Sequence, residues 1–81
     1  MSTEQEERAL ILLLNKLQLE KLAANRTRPH WKHTDGAYLI RRLLKECGEL
    51  VQAYLENDRE SVLQEAADVS NFAAMLADKS W

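Results

Sequence analysis

Glycine, proline and cysteine are scarce in this chain: two, one and one among 81 residues. Sheets need frequent turn chemistry, so this shortage excludes a many-stranded fold and leaves a few long helices. The expected class is all-α. The single cysteine, Cys47, excludes an internal disulfide framework and a cysteine-only zinc site. No charge sign dominates: 11 basic and 13 acidic residues leave a net charge of -2, which does not suit a chain that coats nucleic acid. Long apolar runs are also missing. Leu10 to Leu14 is interrupted by Asn15, Lys16 and Gln18 and preceded by Glu4, Glu6 and Glu7. That is neither a signal peptide nor the ~20 apolar residues of a membrane span. A cytoplasmic protein without a membrane partner is expected, and a lone free thiol agrees with it.

The remaining composition, 46% hydrophobic and 30% charged, is that of a soluble globular protein. The length allows one domain, residues 1–81. A chain this short buries only about 60% of the surface its unfolded form exposes. With disulfides excluded, oligomerisation or a metal is the remaining source of stability.

Three helices follow from the apolar pattern. The first is expected from Ser2 or Thr3, where Thr3-x-x-Glu6 has capping-box spacing, to about Asn25. Its apolar residues, among them Leu10, Ile11, Leu12, Leu13, Leu17 and Leu19, spread around most of the circumference. Such a helix is buried on more than one side, and here the second side is expected to face another subunit. Pro29 breaks helical continuity and biases Arg28 away from helix. Thr34 or Asp35 caps a second helix over about 36–56, and Asp58 or Ser61 caps a third over about 59–79. The result is a helical hairpin plus an N-terminal helix, assembling into an oligomeric, four-helix-type bundle.

On the second helix, Leu39, Ile40, Leu43, Leu44, Cys47, Leu50, Val51, Tyr54 and Leu55 form one apolar arc, with Glu46 and Glu49 on its flank. On the third, Val62, Val69, Phe72, Met75 and Leu76 form a stripe into which Glu65 and Asp68 fall. A buried unpaired carboxylate costs several kcal/mol, so it requires a cation, a proton or a metal. Counting outward from the turn at Asn57 and Asp58, Glu49 lies level with Glu65 and Glu46 with Asp68. Helices packed ~8–10 Å apart allow the four acids to converge. Oxygen-only ligands favour Mg²⁺ or Mn²⁺, and neither histidine has the Glu-x-x-His spacing of a di-iron bundle.

Glu46-x-x-Glu49 followed by Glu65-x-x-Asp68 on a helical hairpin resembles the MazG-like, all-α nucleoside triphosphate pyrophosphohydrolases. The surroundings, Leu43-Leu-Lys-Glu-Cys-Gly-Glu-Leu50 and the segment from Glu65 to Asp78, are similar to that family's motif helices, and Trp31 precedes the first as a Trp often does there. Lys45 stands where the family often has one further acid. The resemblance implies hydrolysis of a nucleoside triphosphate to a monophosphate and pyrophosphate. It implies Mg²⁺ on Glu46, Glu49, Glu65 and Asp68, with Glu46 or Glu49 as base, and assembly at least as a dimer, with a tetramer equally open.

Trp31, Lys32, Asn71 and Lys79 are further candidates for substrate contact: a base stacked on Trp31, phosphates near Lys32 and Lys79, a polar contact from Asn71. Each has a plainer role, as packing plug, solvated cation or helix-edge amide. Cys47, Tyr38 and Tyr54 are expected in the core. An alternative function is a non-catalytic, metal-binding helical interaction module. A nucleic-acid binder using the basic segment 26–33 ranks last.

Overall fold

The computed structural model describes residues 2–26 and 30–81. It contains α1 (Thr3–Ala24), a 3-10 turn (Trp31–His33), α2 (Gly36–Leu55) and α3 (Arg59–Lys79), with no strand among the described residues. None of its helices is long and apolar enough to cross a membrane. The expectations for Arg28 and Pro29 lie outside the described residues.

Each helix starts where a side chain satisfies the free amides of its first turn. At α1 the capping box is one residue earlier than the Thr3-x-x-Glu6 reading: Ser2 Oγ accepts from the Gln5 amide at 3.2 Å, and Gln5 Oε1 accepts from the Ser2 amide at 3.0 Å. Glutamine at the third helical position serves as glutamate would, and serine outranks threonine as a cap. Asp35 Oδ1 accepts from Ala37 at 3.0 Å, and Asp58 Oδ1 from Ser61 at 3.2 Å. Between α2 and α3, Asn57 takes a φ of 58°. Its amide donates to the Tyr54 carbonyl and the Asp58 amide to the Ala53 carbonyl, each at 3.1 Å. This is a Schellman closure, with asparagine in the left-handed position it tolerates.

The central helix is α3, which packs against both α1 and α2. Both neighbours run antiparallel to it. The α1 contact combines the half-buried Leu14, Leu17 and Leu22 with two polar pairings. Gln18 Nε2 donates to Asn71 Oδ1 at 3.2 Å, Asn71 Nδ2 donates back to the Gln18 carbonyl at 3.1 Å, and Lys21 Nζ meets Asp68 Oδ2 at 3.1 Å. Every residue from Ser2 to Leu13 is exposed, so the first half of α1 is uncovered on all sides.

The resulting core is thin. Leu39, Ala53 and Ala67 are its buried apolar residues, and no large side chain among those described is fully enclosed. Tyr38 and Tyr54, expected inside, stand 43% and 71% exposed. The α2 arc is too wide for one neighbour: α3 covers the Leu39 and Ala53 side and leaves Ile40, Leu44, Val51, Tyr54 and Leu55 in solvent.

Candidate metal centre

Glu46 and Glu49 lie one turn apart on α2, and the antiparallel hairpin sets Glu65 of α3 level with them. One carboxylate oxygen from each lies within 4.8 Å of the others. The three differ in setting. Glu46 is buried, Glu65 half-buried and Glu49 exposed. The Arg42 guanidinium donates to Glu46 Oε1 at 3.1 Å and lies over the Phe72 ring, 5.6 Å from its centroid. This aromatic contact fixes the arginine beside its acid. Glu65 Oε2 is shielded from solvent and has no hydrogen-bond partner among the described residues.

Burial, then hydrogen bonding with Glu65 and Glu49, then repulsion from the same two carboxylates pushes the Glu46 pKa up to about 8. Near neutral pH the cluster therefore relieves its own repulsion by keeping a proton. Beside it, an open groove of about 230 Å³ runs toward the turn, lined by Glu49, Gln52, Glu56, Asp58, Ser61 and Glu65. Its lining is acidic and contains no cationic side chain among the described residues.

A divalent cation fits this donor set. Oxygens bound to one Mg²⁺ at about 2.1 Å lie about 3.0 Å apart when adjacent and about 4.2 Å apart when opposite, so the three carboxylates, whose oxygens lie within 4.8 Å of one another, would draw together around an ion. A cation would also give Glu65 Oε2 the partner it lacks. Hard carboxylate oxygens without histidine or thiol suit Mg²⁺ or Mn²⁺.

Of the eight residues singled out in the sequence, the structure brings together Glu46, Glu49 and Glu65. Asp68 is held by Lys21 instead, one turn further along α3. Asn71 is buried against Gln18 and serves the α1 contact. Trp31, Lys32 and Lys79 gather at the far end of α3. Trp31 Nε1 donates to Asp78 Oδ2 at 2.8 Å, Lys32 Nζ lies 3.7 Å from the same oxygen, and Lys79 Nζ donates to the Lys32 carbonyl at 3.4 Å. The Trp31 hydrogen bond, more than the Lys32 charge, holds the Asp78 carboxyl below its usual pKa. Asp78 is about 20 Å from Glu65 along the helix axis at ~1.5 Å per residue. Glu46, expected at the solvent flank, is the most enclosed of the acids, because α2 turns that flank toward α3.

Sequence reasoning missed Lys21 and Gln18. Their only signal is that both fall on the α1 side shared with Leu14 and Leu17, where an apolar residue would be expected. Comparison of the chain with family models, with curated proteins and with solved structures returns no match.

Proposed function

We propose that the chain is a Mg²⁺-dependent nucleoside triphosphate pyrophosphohydrolase of the MazG-like type, with Mn²⁺ as a competent substitute. The observation that carries this reading is the unpartnered, shielded Glu65 Oε2 between Glu46 and Glu49, at the head of an open groove. Three converging carboxylates, one with a shielded oxygen that lacks a hydrogen-bond partner, form a donor set that a divalent cation fits, and polyphosphate hydrolysis draws on such a cation. A bound Mg²⁺ supplies charge neutralisation for the phosphate oxygens and acidifies a water.

The chain's own residues then take distinct roles. Glu46, Glu49 and Glu65 would hold the ion, and Arg42 orients Glu46. Glu49 is the exposed member and lines the groove, so it is the acid placed to orient or deprotonate a water arriving from solvent. Glu46 is less suited to that role, since it must first give up a proton it retains up to about pH 8. The reading includes assembly of at least two copies in the cytoplasm. Incubation with a panel of ribo- and deoxyribonucleoside triphosphates, with and without Mg²⁺, tests it through the identity of the products.

Lys21 bears on the number of ligands. Its ammonium neutralises Asp68, so an ion that recruits Asp68 has to displace it. Lys21→Met is expected to tighten Mg²⁺ or Mn²⁺ binding about fivefold, or about 1 kcal/mol, measured by calorimetry. The same substitution in an Asp68→Asn background should have no effect on affinity. Unchanged affinity in the single variant would show that Asp68 stays outside the coordination sphere.

A further inference from the structure

Asp68 sits between two neighbours. At ~100° per residue it lies ~60° round α3 from Glu65 and an equal angle, in the other sense, from Asn71. Glu65 meets the α2 carboxylates, and Asn71 meets α1 through Gln18. Asp68 therefore occupies the border that the acid cluster and the α1 contact share. One turn separates it from Glu65, and the hairpin count sets it level with Glu46. In the structure the α1 side holds it: Lys21 Nζ is 3.1 Å from Asp68 Oδ2, with both side chains part-buried.

Two features make that hold reversible. The first is the thinness of the α1 contact. No residue of α1 is buried, and Leu14, Leu17 and Leu22 supply its half-buried apolar surface. With so little apolar burial, the pairing of Lys21 with Asp68 and of Gln18 with Asn71 carries much of what fixes α1 on α3. The second feature is charge. Lys21 brings a single positive charge to Asp68, whereas a divalent cation brings two and is shared by several carboxylates at once. An octahedral ion held by Glu46, Glu49 and Glu65 has places left in its shell, and Asp68 is the next acid along α3.

We infer that the second half of α1 is an autoinhibitory latch on the metal centre: docked, it keeps Asp68 on Lys21, and a divalent cation that recruits Asp68 releases α1 from α3. The inference rests on the metal-centre reading of Glu46, Glu49 and Glu65 and adds its regulation. Competition for one carboxylate is reciprocal, so whatever weakens the docking of α1 tightens cation binding. The coupling must therefore appear even for a substitution that touches no carboxylate. Gln18 offers one, since its side chain bonds to Asn71.

Hydrogen–deuterium exchange on the full-length chain, in EDTA and in saturating Mg²⁺ without nucleotide, reads both partners at once. Mg²⁺ is expected to slow exchange in the hairpin around Glu46 and Glu65, and to speed it over residues 14–24 about fivefold or more. In calorimetry, Gln18→Ala should bind Mg²⁺ about fivefold more tightly than wild type. Asp68→Asn should abolish both that gain and the response of α1. A hairpin that slows while α1 stays unchanged, or slows with it, would overturn the latch and leave the metal centre standing. Equal Mg²⁺ affinity in Gln18→Ala and wild type would overturn the latch as well. No change in either segment would overturn the metal-centre reading, and the latch with it. If Gln18→Ala fails to fold, exchange in the wild-type chain decides the question.

Discussion

Glu65→Gln is expected to lower Mg²⁺-dependent hydrolysis at least about a hundredfold while leaving the metal-free protein as stable as the wild type or more so. The first half follows from ligand loss. Altering even the residues that support metal ligands typically costs 10–100-fold, and Glu65 is proposed as a ligand itself. The second half follows from the geometry. Glu65 Oε2 is shielded and unpartnered, and its carboxylate lies with those of Glu46 and Glu49. The substitution removes a negative charge and adds an amide donor that can reach the neighbouring acids. Relief of a poorly compensated buried charge contributes about 1–2 kcal/mol. Melting curves in EDTA and in Mg²⁺ read both effects. Wild type should gain stability with Mg²⁺, and the variant should not respond. A variant that is less stable in EDTA and still responds to Mg²⁺ would place the ion elsewhere.

The second large effect is on pH. Glu46 has a native pKa raised from 4.5 to about 8, chiefly by burial. Between those values the native state binds more protons than the unfolded state, so stability falls as pH rises. The contribution is fully present below about pH 4.5 and lost by the time pH passes 8. The full span corresponds to about 4–5 kcal/mol by linkage. Metal-free wild type should therefore lose stability steadily from pH 5 to above 8, and Glu46→Gln should remove most of that slope. Mg²⁺ acts in the opposite sense. Its ligands must be ionised, so binding tightens with rising pH up to about 8 and releases a proton from Glu46. Stabilisation by Mg²⁺ should be small at pH 6 and large at pH 8.5. A pH-independent Mg²⁺ response would mean that Glu46 is not a ligand.

Much of the fold is written locally. Scarce glycine and proline, the caps at Asp35 and Asp58, and the Asn57 turn specify three helices and one hairpin within a residue or two of the observed boundaries. The hairpin register also follows from counting outward from Asn57, which is why Glu49 and Glu65 meet as expected. The position of α1 is a different matter. Its link to α2 has no fixed geometry in sequence, so nothing indicated that Lys21 would reach Asp68 or Gln18 would reach Asn71. Those two contacts withdraw Asp68 and Asn71 from the proposed site.

Helix length misleads in a similar way. Trp31, Lys32 and Lys79 look close to the motif in sequence order, yet a 21-residue helix separates the Asp78 end from Glu65 by several turns. The misplaced tyrosines have another origin. An apolar arc reads as core whichever molecule covers it, and on α2 the outward half, including Tyr54, faces away from every other described helix of its own chain. The sequence shows that the arc is wide.

Product identification with purified protein and nucleoside triphosphates tests the central claim most directly, with Glu65→Gln run beside the wild type as the control for contaminating phosphatases. Each triphosphate is incubated with Mg²⁺ or with EDTA, and the nucleotide and phosphate products are separated chromatographically. The account predicts a nucleoside monophosphate and pyrophosphate in equal amounts, formed only with Mg²⁺ and absent with the variant. A nucleoside diphosphate with inorganic phosphate, turnover that survives EDTA, or no turnover of any triphosphate by wild type would contradict it.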